Sequence, residues 1–158
     1  MKVAGKDARL NLTAKEFIKE LSAIQTDTEI EKVKRFFTDI DKDIKFLGVR
    51  MSSLFAAAKK FTEMPLNEIE KLLESPYYEL RMGAVCMMDF QARNKKTSAT
   101  RRKGLYDLYI RRHDRINNWD MVDRSAPYVI GGYLADKPRK VLYKLAKSKN
   151  IWERRTAI

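Results

Sequence analysis

Residues 75–88 read Ser-Pro-Tyr-Tyr-Glu-Leu-Arg-Met-Gly-Ala-Val-Cys-Met-Met. Ser75-Pro76 has the form of a helix N-cap followed by proline at the first helical position, where a missing N–H costs nothing. Tyr78, Met82, Val85 and Met88 then recur at the three- and four-residue spacing of one helix face, which predicts a helix through this segment. The same spacing recurs on both sides. Phe17, Ile18, Leu21 and Ile24 form one stripe, and Ile30, Val33 and Phe37 form a second behind Asp27 as N-cap. Leu54, Phe55, Ala58 and Phe61 form a third within residues 49–61, and Pro65 opens a short helix with Leu66, Ile69, Leu72 and Leu73. Further helices are expected over residues 100–112, from Asn118 to about Leu134, over 137–147 with Pro138 near its start, and from Asn150 onward. Asn94 to Ala99 is the one connection polar enough to read as flexible.

Composition agrees with an all-α class. The chain has 158 residues, 44% of them hydrophobic, and only six Gly and four Pro, too little turn punctuation for an all-β fold. That length and apolar content fit one domain over residues 1–158 with a real core. Cys86 is the only cysteine, so no internal disulfide forms. Met1 to Leu12 lacks the apolar stretch of a signal peptide, and nowhere do 18 apolar residues run together. The expectation is a cytoplasmic protein with no membrane partner.

Aligning the helix starts exposes a faint repeat. Tyr78-Glu79-Leu80-Arg81 resembles Trp152-Glu153-Arg154-Arg155, Trp119-Asp120-Met121-Val122 shares the aromatic–acid opening, and Phe46 to Arg50 is a fainter copy. The intervals are 31, 41 and 33 residues, the range of stacked helix pairs in an alpha-alpha superhelix. Chance likeness between amphipathic helices is the competing explanation. A curved stack would offer a concave groove to an extended polymer. Ile151 to Ile158 reads as two turns of a helix with no cap behind it, so the chain is expected to be the amino-terminal part of a longer domain. Its last repeat is then expected to lack a packing partner and to favour self-association; no obligate protein partner is implied.

The formal net charge of +12 is unevenly distributed. Residues 1–79 carry 14 basic and 14 acidic side chains, whereas residues 80–158 carry 19 and 7. Nine basic residues fall between Arg93 and Arg115, against Asp107 and Asp114. Clustered cations gain by releasing counterions from a phosphate backbone, which makes nucleic acid the first partner to consider. The alternatives are a solvated face and an anionic membrane surface, but Asn94 to Lys103 lacks the apolar residues that a membrane helix needs.

Residues 111–128 read Arg-Arg-His-Asp-Arg-Ile-Asn-Asn-Trp-Asp-Met-Val-Asp-Arg-Ser-Ala-Pro-Tyr. If a helix begins near Asn118, Trp119 and Asp123 share one face, and Asp120 sits in the first turn where the helix dipole favours an anion. Arg111, Arg112, Arg115 and Arg124 flank the motif. An indole beside a carboxylate in cationic surroundings suits a substrate with a local positive charge on a polyanionic frame. Equally, Trp119 could be core and Asp123 could pair with a neighbouring arginine. His113, the only histidine, fits a structural or phosphate-facing role. No zinc spacing, thiol-hydrolase order or phosphate loop accompanies it, Gly131-Gly132 included, so no metal or cofactor is implied.

Three segments, Tyr77 to Val85, Arg111 to Asp123 and Asn150 to Ile158, together resemble the DNA alkylation repair family, the AlkD-like DNA glycosylases built from HEAT-like helical repeats. The likeness covers residues 46–158 well and the preceding helices loosely. It implies hydrolysis of the N-glycosidic bond of N3- or N7-alkylated purines in double-stranded DNA without a metal. It further implies that Trp119 and Asp123 are active-site residues and that Arg155, from the Trp-x-x-Arg element, contacts DNA. A second active-site Trp of the family would lie beyond Ile158, and Phe36 stands where the family has a Tyr. A non-catalytic HEAT-like module binding DNA or protein is the competing reading.

Overall fold

The structure is a computed structural model that describes residues 10–37 and 43–158; residues 1–9 of the Met1–Leu12 segment lie outside them. Among the described residues there are nine α-helices and no strand: α1 (Ala14–Ser22), α2 (Asp27–Lys34), α3 (Met51–Lys60), α4 (Leu66–Leu73), α5 (Tyr78–Arg93), α6 (Ala99–Arg111), α7 (Trp119–Ala126), α8 (Lys140–Ala146) and α9 (Ile151–Thr156). A short 3-10 turn covers His113–Arg115 and a π-helical stretch covers Pro127–Gly132.

The helices form two rows. α3 packs on α5, α5 on α7 and α7 on α9; in the second row α4 packs on α6, and α6 on the π-helical stretch. The four segments that resemble one another in sequence therefore lead into, or open, α3, α5, α7 and α9, the successive members of one row. α5 lies in the middle, and all of its residues except Phe90 and Arg93 are buried. Gly83 is needed there, because a Cβ would stand 2.5 Å from the Phe17 ring. The apolar spacing of α1 is only partly a core stripe: Phe17 and Leu21 are buried, whereas Ile18 and Ile24 are exposed.

Several boundaries differ from the sequence expectation, each for a local reason. Thr26, not Asp27, caps α2, its hydroxyl accepting from the Glu29 N–H. α5 begins at Tyr78 rather than after Ser75, because an isolated parallel bridge takes this backbone: Lys45 N–H donates to Pro76 C=O and Tyr78 N–H donates to Lys45 C=O. Ser75 Oγ instead accepts from the Tyr77 N–H. The helix expected from Asn118 to Leu134 changes form at Pro127, which has no N–H to continue the ladder and is followed by the π-helical turns. The polar connection 94–99 is tied down: Arg102 donates to the carbonyls of Ala92, Asn94 and Thr97, and Thr97 Oγ1 donates to Gln91 C=O at 2.7 Å. No described helix is long and apolar enough to cross a membrane.

Candidate nucleic-acid site

Trp119 is the first residue of α7, behind Asn118, whose side-chain oxygen accepts the Trp119 N–H at 2.9 Å. One turn on stands Asp123. Both are partly open to solvent, Trp119 at 47% and the Asp123 side chain at 46%. Arg155 of α9 closes on Asp123 with both forks, Nε donating to Oδ1 at 2.6 Å and Nη2 to Oδ2 at 2.7 Å. Two residues 32 positions apart, each singled out from sequence for a separate role, thus form one bidentate pair. The Arg155 hydrogen bonds hold the Asp123 carboxyl below the usual carboxylate range, against a smaller opposing effect of burial.

α9 reaches this position through Thr156. Its buried hydroxyl meets His113 Nε2 at 2.7 Å and the Tyr109 hydroxyl at 3.2 Å. His113 is therefore a buried prop for the helix that carries Arg155. Burial holds its ring below its ordinary pKa of 6.5. The unfolded chain then binds that proton more readily, so the contribution to stability is present above about pH 6.5 and is lost as pH falls below it. Thermal melts across that window are expected to show the loss, and His113→Gln to reduce its slope; an identical slope in the variant would exclude His113 as the source.

The remaining arginines are engaged elsewhere. Arg111 donates to Glu70 at 2.9 Å and Arg112 to Glu74 at 2.9 Å, while Arg115 donates to the carbonyls of Leu73, Glu74 and Ser75. These three staple the end of α6 and the turn after it to the carboxy-terminal end of α4, where orphan carbonyls favour cations. Arg111 alone of the three keeps a mostly open side chain, at 57%. Arg124 turns inward: its guanidinium lies 4.9 Å from the Phe55 ring and 5.2 Å from the Phe90 ring, with Nε 3.2 Å from Asp89. The fully buried Asp89 is also held by Arg93 Nε, at 2.8 and 2.9 Å. Lys95 and Lys96 are exposed and make no ion pair among the described residues.

Two side chains acquire a role that sequence reasoning missed. Asp120 accepts from the Tyr78 hydroxyl and from the Met121 N–H, and its burial raises its carboxyl above the ordinary value. Nothing local marks that pair, since Tyr78 lies 42 residues away. α7 also borders two separate clefts. Asp123 and Arg155 line one of about 430 Å³, with Ile130 and Leu142. Trp119 and Asp120 line another of about 460 Å³ with the aromatic residues of α3, α5 and the end of α2. Cys86 is buried and its thiol is pushed up to about 12, so it is no nucleophile. No three His, Cys, Asp or Glu side chains among the described residues converge in a way that could hold a metal ion.

A family model described as DNA alkylation repair enzyme matches residues 17–158. No curated protein and no solved structure matches the chain.

Proposed function

The chain belongs to the DNA alkylation repair enzyme family, and on that premise we propose that it is a glycosylase acting on N3- or N7-alkylated purines in duplex DNA. Membership assigns it to DNA repair; the reaction and the lesion class are the proposal. The observation that carries it is the half-exposed carboxylate of Asp123, kept ionised by Arg155 and one turn from the open indole of Trp119. An alkylated purine is already a cationic leaving group, so the bond between sugar C1′ and the base nitrogen breaks with the electron pair going to the base. The sugar then carries the positive charge. A fixed anion beside it stabilises that oxocarbenium-like state, and a water adds to C1′ and gives up a proton. The products are a free base and an abasic site. Arg155, which holds Asp123, stands at the same surface and supplies a cation for the neighbouring phosphate.

The binding-module reading also has an observation in its favour, since both oxygens of Asp123 are already occupied by Arg155. Incubation of the protein with methylated duplex separates the two. Free 7-methylguanine and abasic sites are expected, and tight duplex binding with no release would establish the module instead.

DNA contact by Arg111, Arg112, Arg115 and Arg124 remains part of the proposal, weighted by geometry toward Arg111 and the unpaired Lys95 and Lys96. Duplex affinity is expected to fall steeply with salt, the slope changing by about 0.9 for each phosphate contact removed. Arg111→Ala is expected to lower the slope by about that amount without unfolding the chain, whereas Arg115→Ala should destabilise the α4–α6 junction. A salt slope near zero in the unaltered protein would refute the electrostatic contact.

A further inference from the structure

Asp89, on α5, is fully buried, and two guanidiniums converge on it. Arg93 Nε reaches Oδ1 at 2.9 Å and Oδ2 at 2.8 Å, and Arg124 Nε lies 3.2 Å from the same Oδ2. One arginine is enough to neutralise one carboxylate. Arg124 meets that need from the inside, against the Phe55 and Phe90 rings. Arg93 is therefore an added cation, and the cluster carries a positive charge in excess. Other arginines of the basic half are matched acid for cation: Arg111 and Arg112 face Glu70 and Glu74, and Arg155 faces Asp123. Arg93 is also held still. Its guanidinium carbon lies over the Tyr128 ring, 3.9 Å from the centroid, so the ring covers one face of the fork while Asp89 fixes its Nε end. Neither of its Nη groups has a partner among the described residues, nor has the Tyr128 hydroxyl. Both side chains are open to solvent, Arg93 at 45% and Tyr128 at 44%.

Two like charges gathered on one oxygen repel each other unless a further anion shares them. A planar fork whose rotamers are already set, and whose outer edge is free, offers parallel donors to an oxyanion with little further loss of entropy. We propose that Arg93, aimed by Asp89 and Tyr128, is a binding site for a phosphate group. It reads charge and oxygen geometry and touches no base. Neither cleft beside α7 includes Arg93 or Tyr128, so the site is separate from Trp119 and Asp123. Two sources supply this chemistry, a phosphodiester of the duplex backbone and free inorganic phosphate. The DNA-repair reading selects the backbone, and only that choice of source rests on it. A phosphate seated there fixes the register of the duplex and carries no sequence information.

The test needs no base release. Arginine Nε–H resonances are followed by NMR in the full chain, the Arg93 signal being identified by its loss in Arg93→Ala. Inorganic phosphate, added at constant ionic strength against chloride, is expected to shift the Arg93 signal saturably and to leave that of the Glu70-paired Arg111 in place. Binding of an unmethylated duplex is measured in parallel across salt concentrations. Arg93→Ala is expected to lower the salt slope by about 0.9, the value for one phosphate contact. Arg93→Lys keeps the charge without the fork, so it should retain the slope and weaken binding severalfold. Asp89 stays paired with Arg124 in both variants, and melting curves verify that the fold is kept. Absence of a saturable shift would overturn the site even if the slope falls, because a diffuse surface cation also lowers a slope. A saturable shift with an unchanged slope in Arg93→Ala would uphold the site and refute the backbone as its source. Full duplex affinity in Arg93→Lys would overturn the fork geometry. None of these readouts depends on whether methylated duplex loses a base, so failure of the glycosylase reading shows separately.

Discussion

Asp123→Asn is expected to slow base release from methylated duplex by about 10²- to 10³-fold, the scale of losing one preorganised electrostatic contact. The fold should survive. The Asp123–Arg155 pair is half exposed, and pairs of that kind are worth about 0–1 kcal/mol. Asparagine also keeps one oxygen for the guanidinium, so α9 stays docked through Thr156, His113 and Tyr109. Duplex affinity should change little, because the variant removes a negative charge rather than a phosphate contact. Single-turnover release measured beside a melting curve and a binding isotherm distinguishes these outcomes, and wild-type rates in the variant would remove Asp123 from the reaction. Arg155 offers a second reading of the same site. Because its hydrogen bonds hold the Asp123 carboxyl low, Arg155→Ala should return that pKa toward about 3.9 and move the acid limb of the rate profile upward. The limb would stay in place if Asp123 were not the group that must be ionised.

The second large effect concerns stability and the buried Glu79. Its two oxygens accept the N–H groups of Leu47 and Gly48, each at 2.9 Å, and it is fully shielded from water. These bonds fasten the segment before α3 to the start of α5. Gly48 cannot yield there: its φ is +82°, and a Cβ would fall 2.2 Å from the Thr26 carbonyl oxygen. Glu79→Ala leaves two buried donors unpaired. With hydrogen bonds to charged groups at about 1.5–3 kcal/mol each, the expected loss is about 3–6 kcal/mol. That is a large share of a typical total of about 5–15 kcal/mol. Urea unfolding of the variant should show it as a fall in midpoint at unchanged slope. Glu153, the matching residue in the sequence repeat, has no such pair of backbone donors among the described residues, and Glu153→Ala should stay within about 0.5 kcal/mol. A loss of less than about 1 kcal/mol in Glu79→Ala would mean that the Leu47–Gly48 anchor contributes little.

The comparison of Glu79 with Glu153 shows how far a repeat is legible from residue order. The aromatic–acid openings at Tyr78, Trp119 and Trp152 mark the starts of helices that pack in one row. Yet the acid does three different things. Glu79 anchors a neighbouring segment, Asp120 receives a hydroxyl inside an aromatic cleft, and Glu153 stays half-buried beside the His113 side of α9. Sequence likeness carried the helix register and not the chemistry. The charge asymmetry behaved in the same way. It located the basic half, whereas the division of its arginines between staples and open cations depended on where the last turn of α4 lies.

By itself, the amino-acid order determined the all-α class, the positions of most helices to within a few residues, the stacking of repeated units and the common helix face of Trp119 and Asp123. All of these rest on spacings of a few residues, or on likeness between segments, and a linear reading can count them. Only the tertiary structure decided that Asp123 meets Arg155, that Asp120 lies under the reach of Tyr78, that His113 props Thr156, and that Arg111, Arg112 and Arg115 hold α4. Each of these pairs joins residues between 32 and 43 positions apart. Their partners are selected by the packing of one helix row on another, which turns a particular side of each helix toward a particular neighbour. No local propensity encodes that choice.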